Sequence, residues 1–88
     1  MDIVRDNERF YVGEKQNPDA FLSFKNKDGI LYVNSTFVDA SLRGQGVAAK
    51  LVMELINYAV ENEFKIKPIC SYVVKYFEKN KEYSELLA

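Results

Sequence analysis

Two glycines and an arginine stand directly before an apolar, alanine-rich run in the stretch LRGQGVAAKL, residues 42–51. A glycine inside a helix costs about 1 kcal/mol relative to alanine, so Gly44 and Gly46 at the start of a helical pattern need a physical reason. The first N–H groups of a helix lack partners within it, and the helix dipole makes that end positive. Glycines there let an anion approach the backbone, and Arg43 adds a permanent, forked cation. This stretch therefore favours the binding of phosphate groups.

Three other interpretations of the glycine stretch compete with phosphate binding. A turn that needs a positive φ at Gly44 or Gly46 would explain the glycines without any ligand. The P-loop spacing G-x-x-x-x-G-K-[ST] is absent. Gly44, Gly46 and Ala49 fit the dinucleotide pattern G-x-G-x-x-A, but residues 39–43 separate Gly44 from the end of the predicted strand, where that pattern has its first glycine. The turn and the phosphate site both remain as hypotheses.

Cys70 is the second candidate for chemistry. It is the only cysteine, so it cannot form an internal disulfide, which predicts a reducing, cytoplasmic location. It directly precedes a predicted helix over 71–80, whose positive end would favour a thiolate. A thiolate there could act as a nucleophile. Otherwise Cys70 is a small buried residue at the end of a strand.

Composition excludes several classes of function. Histidine is absent, which excludes histidine-based acid–base catalysis, Ser-His-Asp triads and histidine-rich metal sites. With one cysteine as well, we predict no metal site. The net charge of -1 argues against binding to nucleic acid through bulk positive charge. No run of 18 apolar residues and no signal-peptide pattern occurs, so we expect no membrane insertion.

The elements that must hold these residues follow from the apolar periodicity. A chain of 88 residues predicts a single domain over residues 1–88. Alternating apolar residues predict strands in the first half, and a helical period follows in the second half. The predicted elements are strands over 9–14, 19–27 and 29–39, a helix over 47–62, a strand over 64–70, and a helix over 71–80 that Ser71 caps.

This order predicts an α+β fold. Short loops between the first three strands favour an antiparallel meander. The strand–helix–strand unit favours a right-handed crossover with one parallel pair, and a short C-terminal helix follows. The apolar helix face is predicted at positions 48, 51, 52, 55, 56 and 59. The aromatic residues predicted to lie in the core are Phe10, Phe21, Phe24, Tyr32 and Phe64.

Arg43, Gly46 and Ala48 fit the motif [Q/R]-x-x-G-x-[G/A] of the GNAT superfamily of acetyl-CoA-dependent N-acetyltransferases. The runs TFVDASLRGQGVAAKLV and KIKPICSYVVKYFEKNKEYSELL are similar to those of its small, single-domain members. The resemblance covers roughly residues 10–88. It implies a minimal GNAT-like fold and a protein that binds acetyl-CoA and transfers the acetyl group to an amine.

The resemblance also implies positions for the site. The strand before the motif supplies backbone groups to the pantetheine arm, and the pyrophosphate lies on the N–H groups that follow. The cofactor enters a wedge where two parallel strands splay apart, which brings Cys70 near the thioester as the catalytic residue. The implied acetyl-CoA contacts are Phe37, Val38, Arg43, Gly44, Gln45, Gly46, Val47, Ala48, Ser71 and Tyr76.

Two departures from the family pattern bear on catalysis. Many small relatives carry a histidine where this chain has Ser35, so any base role of that residue is lost. Many larger relatives use a tyrosine in the last helix as general acid, and the best alignment puts Phe77 at that position. Tyr72 or Tyr76 could substitute, although Tyr76 is better explained as a core or cofactor-lining residue.

The resemblance leaves two routes and three functions open. The acetyl group can pass through Cys70, or the amine can attack acetyl-CoA directly. The protein is then an N-acetyltransferase for an unknown amine. The alternatives are a CoA-binding module without significant catalysis and a structural or interaction domain whose glycines only shape a turn. We expect a monomer or weak dimer.

Overall fold

The computed structural model describes all 88 residues as a mixed β-sheet with two α-helices packed on one face. The strands are β1 (Val4–Arg5), β2 (Arg9–Gly13), β3 (Pro18–Lys27), β4 (Ile30–Val38) and β5 (Lys65–Pro68), and the helices are α1 (Val47–Asn62) and α2 (Ser71–Lys79). Two 3-10 helices span Ala40–Leu42 and Lys81–Leu86. Neither α1 nor α2 has the length and apolar composition needed to cross a lipid bilayer.

The five strands lie side by side in the order of the chain. Strands β1 to β4 pair antiparallel, and β5 pairs parallel with β4 after the crossover through α1. This confirms the predicted α+β fold, with its antiparallel meander, one parallel pair and short C-terminal helix. The helical period of residues 47–62 is long enough to fix α1, and its bounds match the prediction.

A bulge in β4 separates the two parallel strands. Ser23 lies opposite Ser35, but the next residue of β3, Phe24, lies opposite Val33, so Asn34 is an extra residue in β4. Such a bulge bends its strand and increases the local twist. The ladder between β4 and β5 ends at Val33, whose carbonyl accepts hydrogen bonds from the N–H groups of both Ile69 and Cys70, each at 3.0 Å. Residues 34–38 of β4 continue beyond this point with only β3 beside them, which opens a wedge toward α2.

The core lies between the helices and one face of the sheet. Its sheet side chains include Leu22, Phe24 and Leu31, all of them at most 1% exposed. From α1 the buried residues are Val47, Leu51, Val52, Leu55, Ile56 and Ala59, so Val47 replaces the predicted Ala48 at the helix start. From α2, Val73 and Phe77 join the same cluster.

Two of the aromatic residues predicted for the core lie elsewhere. Phe10 and Phe24 are buried, and Phe64 packs at the core edge with its ring 5.6 Å from that of Tyr58. Phe21 and Tyr32 instead point to the opposite sheet face, because strand side chains alternate and their neighbours Leu22 and Leu31 point inward. We call this helix-free side the outer face.

Three local features differ from the prediction. The two-residue strand β1 is too short to show a periodicity. Cys70, not Ser71, is the N-cap of α2, because its N–H is still held by the sheet and its backbone is extended at φ -60 and ψ 131. The C-terminal residues after Lys81–Leu86 extend the sheet edge, where the Ala88 N–H donates to the Ile66 carbonyl at 2.9 Å.

Candidate functional site

The loop between β4 and α1 begins with a capped turn. The Asp39 carboxylate accepts hydrogen bonds from the Ser41 hydroxyl at 2.6 Å and from the Ser41 N–H at 3.0 Å. These two hydrogen bonds, the hydroxyl first, hold the pKa of Asp39 below its usual value, and the charge of Arg43 acts in the same direction. The turn fixes where the chain leaves the sheet, so it positions the glycine stretch that follows.

Both glycines of the stretch have left-handed backbones. Gly44 has φ 82 and Gly46, the N-cap of α1, has φ 70. This conformation costs other residues roughly 1–2 kcal/mol, which explains the glycines as turn residues. A Cβ built on either glycine would meet no atom within 4 Å, so the space beside this backbone is open. The turn therefore explains both glycines and leaves the backbone beside them accessible.

The N-terminus of α1 presents unpaired donors. The first hydrogen bond of the helix runs from the Lys50 N–H to the Gly46 carbonyl at 3.1 Å. The N–H groups of Val47, Ala48 and Ala49 have no acceptor within the helix, and no side chain caps them. The first turn contains no acidic residue, so no carboxylate competes with a bound anion. Arg43 stands beside these donors without an ion pair, since the one ion pair of the protein joins Arg9 and Asp6.

A groove of about 240 Å³ lies over these donors. It runs from the end of β4 across the glycine stretch to the start of α2. Its lining residues are Val38, Leu42, Arg43, Gly44, Gly46, Val47, Ala48, Ala49 and Tyr72. Six of these had been predicted from the sequence, and the groove adds Leu42, Ala49 and Tyr72.

Four of the predicted acetyl-CoA contacts, and the predicted catalytic residue Cys70, do not line this groove. The Phe37 side chain is 41% exposed on the outer face, where its ring lies 5.7 Å from that of Phe21, so only its backbone faces the wedge. Gln45 points back to the Ser41 carbonyl, to which its amide donates at 3.4 Å. Ser71 is exposed on the first turn of α2. Tyr76 is half-buried against the core.

Cys70 lies at the closed end of the wedge. Its sulfur is 3.3 Å from the Thr36 hydroxyl, so this contact spans the gap between the end of β5 and the free part of β4. Burial acts to raise the pKa of Cys70, but the hydrogen bond with Thr36 and the nearby N–H groups of Val73, Tyr72 and Thr36 outweigh it and lower the pKa. The N–H groups of α2 complete no cap hydrogen bond with the sulfur, so they stabilise the thiolate through their dipoles.

The tyrosines of α2 divide between groove and core. Tyr72 is 38% exposed and lines the groove, and burial raises the pKa of its phenol. Burial also raises the pKa of Tyr76, and the nearby Tyr83, Tyr72 and Glu82 act in the same direction. Phe77, at the position that aligned with a catalytic tyrosine, is 4% exposed in the core. Tyr72 is therefore the neutral phenol that the fold brings to the groove.

Comparison with known proteins identifies the family. Residues 9–86 match the family model described as GCN5-related N-acetyl-transferase. The chain belongs to the GCN5-related N-acetyltransferase family. The resemblance first seen in Arg43, Gly46 and Ala48 is thereby confirmed for nearly the whole chain.

A solved structure supports the same family fold. The NMR solution structure of a GCN5-like candidate N-acetyltransferase from Staphylococcus aureus is similar to the chain with a TM-score of 0.82 and 28% sequence identity. The match covers 99% of this chain and 87% of that one. A comparison with curated protein sequences gives no significant match. The structural similarity therefore extends over nearly the whole of the fold described above.

The contact between Thr36 and Cys70, which are 34 residues apart, could not be identified from the sequence.

Thr36→Val is expected to raise the pKa of Cys70, because it removes a hydrogen bond that stabilises the thiolate. The rate of alkylation by iodoacetamide follows the thiolate fraction, so its midpoint should move to higher pH. Thr36→Ser keeps the hydroxyl and should leave the midpoint in place. Equal midpoints for the valine variant and the wild type would contradict this account of the GCN5-related site.

Proposed function

We propose that the protein binds acetyl-CoA and transfers its acetyl group to an amine. One observation carries the proposal: the unpaired N–H groups of α1, the open backbone at Gly44 and Gly46 and the free guanidinium of Arg43 converge on one groove. In a member of the GCN5-related N-acetyltransferase family, the natural occupant of such a site is a pyrophosphate linked to an acyl thioester.

The residues present fit such a ligand. The N–H groups of residues 44–48 and the fork of Arg43 would hold the pyrophosphate by charge-assisted hydrogen bonds; the Arg43 N–H itself already donates to the Ala40 carbonyl at 3.3 Å. The groove then leads past Val38 to the wedge, where residues 34–38 of β4 have no strand on the β5 side. Their backbone N–H and C=O groups can pair with the amide groups of a pantetheine arm, as a neighbouring strand would. Phe37 and Val38 contribute through their backbones.

The wedge ends at the one nucleophilic side chain of the site. Acetyl-CoA supplies an acetyl group activated as a thioester. The Cys70 thiolate attacks the acetyl carbon, and the CoA sulfur leaves with the bonding electrons and takes a proton from the neutral phenol of Tyr72. The acceptor amine then attacks the acetyl group on Cys70, restores the thiolate, and releases a proton that returns to Tyr72 through water. We assign Cys70 as the catalytic residue and Tyr72 as the proton donor.

Without histidine, the thiolate must be present before substrate binds. Ser35 stands where small relatives carry a histidine, and its hydroxyl lies 2.8 Å from that of Ser23 on the outer face. The stabilisation of the thiolate therefore rests on Thr36 and the start of α2. We place the activity in the cytoplasm, where an unpaired cysteine stays reduced.

Release of CoA from acetyl-CoA in the presence of amines tests the proposal and separates it from the alternatives. We expect the release of CoA to depend on both the protein and an amine. Free CoA should be measured by chromatography rather than with a thiol reagent, because Cys70 would also react with the reagent. CoA binding without release for any amine would favour the binding module. Neither binding nor release would favour the structural or interaction domain, whose glycines only shape the turn.

A further inference from the structure

Four lysines surround one tyrosine on the outer face. In the register of the sheet, Lys25 lies opposite Tyr32, which lies opposite Lys67. One row further along, Lys27 lies opposite Ile30, which lies opposite Lys65. Residues opposite each other in a sheet share a face, so these side chains form one patch, which we call the lysine platform. The ammonium group of Lys27 lies 5.3 Å from the centre of the Tyr32 ring, in agreement with this placement.

The positive charges of the platform are unneutralised. All four lysines are exposed, and none has a carboxylate within 4 Å; the one ion pair of the protein joins Asp6 to Arg9, which lies opposite Ser23 in the row next to the platform. The nearest acidic residues in the sequence, Asp28 and Glu63, lie in the turns beyond the far end of the platform. The Lys65 ammonium donates to the Glu85 backbone carbonyl at 2.6 Å, which leaves its charge in place.

The four lysines are close enough to act together on a charged ligand. Neighbouring lysines of one strand are roughly 7 Å apart, and Lys25 and Lys67 are separated by two strand spacings, roughly 10 Å. No lysine lies directly opposite another, so the repulsion between these exposed charges is weak in water, but their positive potentials add over one patch of the surface. A bound group of opposite charge would remove the repulsion.

The lysine platform lies next to the wedge, on the outer face of the sheet, whereas the groove over the N-terminus of α1 lies on the helix side. Lys67 directly precedes Pro68, where the pairing of β5 with β4 ends. The next row toward the wedge holds Ser23 and Ser35, and the row after it holds Phe21 and Phe37. The outer face thus leads from the lysines, over two hydroxyls and two aromatic rings, alongside residues 34–38.

We propose that the lysine platform binds an acidic polypeptide segment, and that such a segment is the acceptor whose amine reaches the wedge. Its carboxylates would lie over Lys25 and Lys67, and the exposed ring of Phe37 would meet an apolar side chain nearer the amine. The part of the inference that concerns the acceptor rests on the proposed function. The part that concerns binding stands on the charges and the register alone.

Two observations favour a peptide over a single-stranded nucleic acid. The whole chain carries a net charge of -1 although the platform contributes four positive charges, so a long polyanion that extends beyond the platform meets an acidic surface. Nucleic acids bind sheet faces by stacking bases on open aromatic rings. The one ring within the platform, Tyr32, instead has the ammonium group of Lys27 5.3 Å from its centre, and the exposed ring of Phe37 lies two rows away.

The test uses a free-amino peptide of alternating glutamate and alanine, its lysine–alanine counterpart, and an oligodeoxythymidylate of the same charge as the acidic peptide. Amide shifts of the ¹⁵N-labelled protein are followed without CoA. The acidic peptide should shift residues 25–32 and 65–67, and the lysine peptide should not. The double variant Lys25→Gln/Lys67→Gln should weaken binding of the acidic peptide about tenfold, because charge-complementary contacts supply its affinity. Lys75→Gln/Lys79→Gln removes two exposed charges from α2 and should change nothing.

In turnover, the platform variant should raise KM for the acidic peptide about tenfold with kcat unchanged, and the Kd of CoA should stay constant. Equal affinity of the wild type and the platform variant for the acidic peptide would overturn the proposal. Tighter binding of the oligodeoxythymidylate than of the peptide would also overturn it, in favour of a nucleic-acid surface. A wrong proposed function would give a different result: CoA would not bind, but the acidic peptide would still cause the same amide shifts.

Discussion

Gly46→Glu is expected to abolish CoA binding, by at least about a hundredfold, in a protein that remains folded. The new carboxylate would stand at the N-terminus of α1, where the N–H groups of Val47, Ala48 and Ala49 are unpaired. It would take these donors from the pyrophosphate and repel its charge. No atom lies within 4 Å of a Cβ at this position, so the first atom of the new side chain enters open space. Calorimetric titration with CoA measures the loss.

Gly46→Ala is the matched control. It places a side chain on the same left-handed backbone, at φ 70, and so carries the same strain of roughly 1–2 kcal/mol without the charge. For a domain of this size each 1 kcal/mol lowers Tm by roughly 4–8 °C. Both variants should melt at similar temperatures, and the alanine variant should keep its CoA affinity within a few-fold. If both variants lost CoA binding in proportion to their stability, Gly46 would serve only the turn.

Cys70→Ser is expected to reduce acetyl transfer by at least about a hundredfold while the Kd of CoA changes less than about twofold. A serine hydroxyl is not ionised near neutral pH, and the site holds no histidine to activate it. In the wild type, incubation with acetyl-CoA and no amine should add about 42 Da, one acetyl group, to the protein as a thioester. Mass spectrometry should map the label to Cys70, and hydroxylamine should remove it.

The variant Cys70→Ala distinguishes the two chemical routes. If the thiol carries the acetyl group, this variant should be as inactive as the serine variant and should take up no label. Turnover at the wild-type rate would instead show direct attack by the amine. Cys70 would then be a small residue that closes the wedge through its contact with Thr36.

Periodicity was sufficient to predict the elements of the fold that bury a continuous face. The α1 face from Leu51 to Ala59 and the strands on which it packs were recognisable because apolar residues recur at the spacing of each element. The bulge at Asn34 was not recognisable, because a single inserted residue leaves the alternation on either side intact. It was the family resemblance that implied the splayed strands.

The backbone part of the site was easier to predict than its side chains. Gly44 and Gly46 marked the helix start because few other residues accept a left-handed backbone. Tyr72 rather than Tyr76 lines the groove. The choice between the two tyrosines depends on the position of the N-terminus of α2 relative to that of α1, and the local sequence does not determine that position. Phe21 and Tyr32 are aromatic residues at strand spacing, which predicts core positions, but the alternation of each strand directs them to the outer face.

The most direct test of the central claim is a titration of the ¹⁵N-labelled protein with CoA, followed by amide shifts. We expect the largest shifts in residues 43–49, with a second group near Cys70 at the end of the wedge. A cavity lined by Asp6, Asn7, Glu8, Arg9 and Lys15 lies elsewhere on the surface and should not respond. The absence of shifts in residues 43–49 at millimolar CoA, or shifts confined to that other cavity, would contradict the account.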